Sequence, residues 1–305
     1  MNQWLNTFIH SNWDQYFFDT MAVGLIDFKS EDFSTITFKN KKILKEDHFF
    51  DLASLTKPLT MGAYDLKANL KDENLLSLLE HRSSLPPWGR LSHEGWKEQI
   101  LSYEINPTET VYSDFGALRF MLEIEKKEGS SFIDLCSDFW NDELVFWKNL
   151  KTDVKCVPTG IRNGKTICGE VHDDNCFVIN EFCTHAGLFS TPDALAKSLL
   201  NLNQKHGLIK KMSQHFKGSH SRFLKGWDTK SLEGQSLAGS KCSDKTFGHL
   251  GFTGNSMWID CEKDLGFFML SNQTFGAWTN RSNLNDLRRS LADEFWSKNF
   301  EKITL

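Results

Sequence analysis

No stretch of this 305-residue chain approaches the ~18 consecutive apolar residues that a membrane-spanning helix needs, so no membrane span is expected. No block of lysine and arginine stands out, and 35 basic against 40 acidic residues leave a net charge of −5, which argues against a nucleic-acid partner. Internal repeats and low-complexity linkers are absent. Cys156, Cys168, Cys176 and Cys183, with His172 and His185 among them, lack the close cysteine pairs of structural zinc sites. They read as buried thiols, and neither a metal nor another cofactor is expected. Seven cysteines, an odd number, suit a reducing compartment better than a disulfide framework. The segment Met1–His10 shows no basic start, sustained apolar stretch or small-residue cleavage site, so no secretory signal is read there and a cytoplasmic location is expected.

What the chain does contain is Phe50-Asp51-Leu52-Ala53-Ser54-Leu55-Thr56-Lys57-Pro58, a serine and a lysine three residues apart after an apolar approach. On a helix that spacing puts both side chains on one face, so Lys57 Nζ reaches Ser54 Oγ. A serine hydroxyl is a poor nucleophile at neutral pH and needs an adjacent base. A lysine serves if burial and neighbours lower its pKa.

Two further segments follow in the chain: Val111-Tyr112-Ser113-Asp114, leading into a helical pattern, and Phe247-Gly248-His249-Leu250-Gly251-Phe252-Thr253-Gly254, preceding a strand-like run. With these the chain resembles the serine β-lactamase and penicillin-binding-protein superfamily. The resemblance is to the branch of class C β-lactamases, family VIII esterases, D-aminopeptidases and muramoyl-peptide amidases. Leu78-Leu79-Glu80-His81-Arg82-Ser83-Ser84-Leu85-Pro86, Val171-His172-Asp173-Asp174-Asn175 and His185-Ala186-Gly187-Leu188-Phe189-Ser190-Thr191 are similar to other landmarks of that family. The resemblance implies Ser54 as nucleophile, Lys57 as its base and Tyr112 as a proton relay whose pKa falls beside the ammonium. It implies His249 as a partner of Tyr112 that contacts a substrate carboxylate when protonated. The oxyanion hole would be the backbone N–H groups of Ser54 and Phe252, and Gly248 and Gly251 would let substrate approach the strand. Two residues depart from the family pattern. Asp114 stands where asparagine is usual; it either recognises a substrate amine or amide N–H, the favoured reading, or impairs catalysis by raising the Lys57 pKa. Ser84 replaces a turn glycine.

Helical spacing is read over residues 3–18 and 284–300, strands over 22–26 and 33–38, and a hairpin over Trp258–Leu270. Thr191-Pro192-Asp193 opens a helix. The expected fold is α/β (α+β): a β-lactamase/DD-peptidase-like antiparallel sheet flanked by terminal helices, with an inserted, mostly helical region. Residues 1–57 and 205–305 would form the sheet-containing part, residues 58–204 the helical part, and the site would lie in the cleft between them. The function that follows is a serine hydrolase working through an acyl-Ser54 intermediate on a small amide or ester, with a cell-wall-derived peptide as one substrate class. The histidine form of the third motif points away from efficient penicillinase activity. The rival is a catalytically silent relative that binds a peptide or muropeptide fragment as a sensor, motivated by Asp114 and a short interval between Lys57 and Leu78. Oligomeric state is left open.

Overall fold

A computed structural model describes residues 3–216, 222–231, 235–277 and 282–298. Its strands, in chain order, are β1 Thr20–Asp27, β2 Asp32–Lys39, β3 Lys42–Leu44, β4 Phe50–Asp51, β5 Leu144–Phe146, β6 Gly160–Arg162, β7 Lys165–Ile167, β8 Leu188–Ser190, β9 Phe223–Leu224, β10 Trp227–Thr229, β11 Thr246–Leu250, β12 Ser256–Asp260 and β13 Leu265–Ser271. Eight of them form one sheet in the order β3-β2-β1-β13-β12-β11-β10-β9. Every paired neighbour in it is antiparallel. The two ends of the chain meet at β1–β13, where Met21 faces Ser271 and Asp27 faces Leu265.

Both faces of this sheet are buried, which explains why β1 and β13 read as nearly continuous apolar runs rather than as alternations. Met21, Val23 and Leu25 of β1 and Phe267 and Met269 of β13 pack into one core with Leu5 and Ile9 and with Leu284, Leu287, Leu291 and Phe295. These come from the helices Gln3–Asn12 and Ser282–Ser297. Ala22, Ile26, Phe268 and Leu270 face the opposite core, shared with the central helices. Gly24 is required on that face, since a Cβ there would lie 2.1 Å from the Phe268 ring. Burying each such large apolar side chain contributes about 1.5–3 kcal/mol.

The N-terminal helix stops at Asn12, earlier than the pattern to residue 18 suggests, and continues as a 3₁₀ turn over Trp13–Gln15. Residues 299 and 300, the end of the expected C-terminal helix, lie outside the described residues. Thr191 caps the helix Pro192–His206, accepting from Ala194 N, with Pro192 at its first position. Ser113 caps the helix Asp114–Glu128, and its Oγ accepts from Gly116 N at 2.8 Å. Ser84 has φ +59, so the turn that glycine would favour is retained by a serine.

Candidate active site

The segment carrying Ser54 leaves the short strand β4, whose Asp51 pairs with Phe189 of β8. It does not enter a regular α-helix, contrary to the simplest reading of the Ser-x-x-Lys spacing. Ala53–Leu55 form a 3₁₀ turn, Thr56 and Lys57 a brief α-helical step and Pro58–Gly62 a π-helical turn, and a regular α-helix follows from Ala63. Pro58 is the local cause: it has no N–H to continue the ladder just after Lys57. Ala53 has φ +47, a left-handed conformation costly for a residue with a Cβ, and it turns Ser54 outward. Even so, Lys57 Nζ lies 3.3 Å from Ser54 Oγ, as the three-residue spacing predicts.

Lys57 is 1% exposed, and its three N–H groups are all engaged. Besides Ser54 it donates to Asp114 Oδ1 at 2.7 Å and to the His185 carbonyl at 3.1 Å. Burial pulls the Lys57 pKa down, but the Asp114 carboxylate and the Tyr112 hydroxyl beside it outweigh burial and hold it well above the ordinary lysine value. Lys57 is therefore an ammonium in the resting protein, not a free base. Asp114 begins its helix, where the helix dipole favours negative charge. Its carboxylate is the nearest partner of Lys57 in the resting protein. Its side chain keeps 19% exposure and lines the cavity in front of Ser54.

The Tyr112 ring stands 4.7 Å from Lys57 Nζ, and its hydroxyl interacts with both Lys57 and Ser54. Burial raises the Tyr112 pKa despite the ammonium, so the phenol is neutral, and the fall expected from the neighbouring charge does not occur. Three aromatic neighbours fix the ring: His81 at 4.6 Å, Phe223 at 5.6 Å and His249 at 5.9 Å between centroids. His81 also accepts from Ser113 N through Nδ1 at 3.1 Å, which ties the Tyr112 loop to the turn after Leu79.

His249 lies on β11, faces this cluster and is 3% exposed. Burial and then the Lys57 charge push its pKa down to about 3. It is neutral at working pH, so the protonated carboxylate contact expected of it does not hold. Nδ1 lies 2.7 Å from the Leu250 carbonyl, which makes Nδ1 the N–H bearer and leaves Nε2 as the lone-pair nitrogen.

The glycines of the third motif have a different reason from the one read in the sequence. A Cβ on Gly248 would lie 1.9 Å from the Met257 carbonyl oxygen, so close pairing with β12 requires that glycine. A Cβ on Gly251 would lie 2.9 Å from the Leu52 carbonyl oxygen. The Asn255 side chain, at 2.8 Å, crowds it equally, so the glycine is hemmed in by its own turn and by the backbone that leads into Ser54. Gly251 and Phe252 nevertheless line a cavity with Ser54, Tyr112 and His249, of about 250 Å³. A larger one of about 540 Å³ opens on the other side of Ser54, with Trp88, Asp114, Ile161, His172 and Phe252 on its walls. Phe252, 41% exposed, forms the rim between the two.

Several residues that build the site carry no obvious chemical signal in the sequence. Arg288, from the C-terminal helix, donates to the carbonyls of Gly251 and Asn255 and fixes the turn after β11. His185, whose carbonyl holds Lys57, bonds through Nε2 to Asp173 at 3.0 Å; that carboxylate, overcoming burial, lifts the imidazole pKa to about 10. The landmark segment of His185 is visible in the sequence, but these roles are not. Among the described residues no three His, Cys, Asp or Glu side chains converge as metal ligands would.

Residues 74–290 match the family model described as Beta-lactamase. The chain belongs to the beta-lactamase family. The matched region begins downstream of Ser54 and Lys57, so the family assignment stands without them. The chain superposes on a beta-lactamase/D-alanine carboxypeptidase from Yersinia pestis complexed with citrate with a TM-score of 0.66 at 16% identity, covering 98% of this chain and 100% of that one. A class C beta lactamase from Rhodobacter sphaeroides gives a TM-score of 0.65 at 13% identity, covering 94% and 97%. At these identities the two structures establish that this beta-lactamase-family chain shares their fold. An N-acetylmuramyl-L-alanine amidase from Bacillus subtilis (strain 168) is 31% identical over 122 residues. That match spans 35% of this chain and about a quarter, 27%, of the amidase.

Proposed function

We propose that this chain is a serine hydrolase that acylates Ser54 with a small amide or ester, and that the amide of a cell-wall-derived peptide is its substrate class. The observation that carries this reading is the convergence of Ser54 Oγ, Lys57 Nζ and the Tyr112 hydroxyl on one point between two cavities. The likeness to a muramyl-alanine amidase supports the substrate class.

The resting ammonium sets the order of proton movements. Lys57 must first lose its proton to solvent against the pull of Asp114, and the freed lysine lone pair then takes the Ser54 proton. Ser54 Oγ bonds to the substrate carbonyl carbon, and its oxyanion is met by the backbone N–H groups of Ser54 and Phe252. The bond to the leaving group breaks as Tyr112 supplies a proton, which Lys57 returns to the phenol. Water then releases the acyl group.

Asp114→Asn tests this order. Without its anionic partner Lys57 deprotonates at lower pH, so the wild-type rate should still be rising at alkaline pH while the variant's half-maximal point moves down. Near pH 7 the variant should be faster by on the order of tenfold or more on every substrate, since each pKa unit is a tenfold change in free base. A variant that loses only amine-bearing substrates, with its pH profile unmoved, would assign Asp114 to recognition instead. The sensor reading has one observation in its favour, the 2.7 Å ion pair that occupies Lys57 with Asp114. It predicts tight binding of muropeptide fragments with no Ser54 adduct in either protein.

A further inference from the structure

Asp51 lies three positions before Ser54 and bonds to three separate segments of the site. Asp51 is 2% exposed. Its Oδ1 accepts from Ala53 N at 2.8 Å and its Oδ2 from His172 N at 2.7 Å. Its carbonyl accepts from Thr253 Oγ1 at 3.0 Å and from Asn255 Nδ2 at 2.9 Å. One residue thus ties together the turn that presents Ser54, the His172 segment on the wall of the larger cavity and the loop of Phe252.

We propose that the Asp51 carboxylate is a positioning residue for the nucleophile, holding Ala53 in its left-handed conformation so that Ser54 Oγ stays aligned with Lys57 and with the N–H of Phe252. This rests on the reading of Ser54 as the acylated residue. The backbone at Ala53 is strained, and such a conformation persists only where its surroundings over-determine it. The Asp51 to Ala53 bond supplies that constraint, together with Leu52 N donating to the Leu188 carbonyl at 2.9 Å. Only the ionised carboxylate accepts well at both oxygens. Protonation converts one of them into a buried hydroxyl facing an N–H.

The charge is kept at a cost. Burial raises the Asp51 pKa to about 6, the bonds from His172 N and Ala53 N and the charge of Arg162 pull it down, and Asp173 pushes it up. The buried Cys176 thiol also faces it. His172 is held below its usual pKa by burial and Arg162, and adds no positive charge at neutral pH. The Asp51 pKa is raised above its unfolded value, so its contribution to stability is greatest below about 4. It falls as pH rises through about 6. Removing the charge should therefore spare or raise stability at neutral pH while lowering activity, which a residue with a merely structural role would not do.

The test compares wild type, Asp51→Asn and Asp51→Glu by the rate of Ser54 acylation with a nitrophenyl ester and by thermal melts from pH 4 to 8. In wild type, log rate should rise with pH at a slope near one from Lys57, steepening toward two below about pH 6 as Asp51 protonates. Asp51→Asn should acylate at least tenfold more slowly through kcat, with KM changed less than twofold. It should keep the slope of one throughout and melt no lower than wild type at pH 7. Asp51→Glu keeps the charge but misplaces both oxygens; it should be slow while retaining a second titration. Equal acylation rates in all three proteins would overturn the inference, as would a slowed Asp51→Asn whose acid limb is unchanged. If wild type itself forms no adduct on Ser54, the underlying function is wrong rather than the role of Asp51.

Discussion

Ser54→Ala should reduce turnover by on the order of 10³–10⁶-fold and abolish any covalent adduct, while the protein remains folded. The size follows from the chemistry: without the hydroxyl there is no acyl acceptor, and what remains is rate enhancement from binding and from the oxyanion donors, as in other enzymes whose nucleophile is deleted. The structural cost is small. Ser54 is half-buried, and of the bonds it makes the one to Lys57 is 3.3 Å long. Losing one hydrogen bond to a charged group whose other two partners remain should cost at most about 1.5–3 kcal/mol. Steady-state kinetics with nitrophenyl esters and D-aminoacyl amides, beside a circular-dichroism spectrum, check both halves. A variant retaining near wild-type hydrolysis would remove Ser54 from the mechanism.

The second large effect is at Lys57. Lys57→Ala should slow acylation by on the order of 10²–10⁴-fold, the range for a positioned general base. Stability should fall too, because a buried four-carbon stem is deleted and Asp114 loses its partner. Removing one member of a fully buried ion pair costs about 3–5 kcal/mol. Asp114 is 19% exposed and water can solvate it, so a loss of about 1–3 kcal/mol is expected here. Lys57→Met separates the two contributions by keeping the apolar stem. It should recover much of the melting temperature and none of the rate. A rate loss under tenfold in either variant would transfer the base role to Tyr112.

The meeting of Ser54 with Lys57 was legible in their three-residue spacing, and the place of Tyr112 beside them in the family resemblance. Their charge states were not. The Asp114 effect on Lys57 could be reasoned from the substitution, but whether burial or the carboxylate prevails depends on a 2.7 Å contact between segments 57 residues apart. His249 reads as a cation only while its cage is unknown; Phe223 and His81, distant in sequence, remove the water that would solvate a charge. Gly248 and Gly251 are glycines in a recognisable motif, yet the atoms that exclude a Cβ there belong to Met257 at the first and to Asn255 and Leu52 at the second. Asp51 was hidden for a related reason, since it acts through backbone N–H groups, which carry no sequence signal. At the level of fold, the two-faced burial of β1 and β13 follows from their unbroken apolar runs. The breaking of the Ser54 helix into 3₁₀ and π-helical turns depends on Pro58 and on Ala53 held at positive φ.

Intact-mass spectrometry of the wild-type protein after incubation with nitrophenyl esters, D-aminoacyl amides, muramyl peptides and β-lactams, followed by peptide mapping, tests the central claim most directly. The account predicts a mass increase equal to one acyl group from at least one ester or amide, mapped to the peptide containing Ser54 and absent from Ser54→Ala. Hydrolysis without any adduct on Ser54, or an adduct that persists in Ser54→Ala, would contradict it.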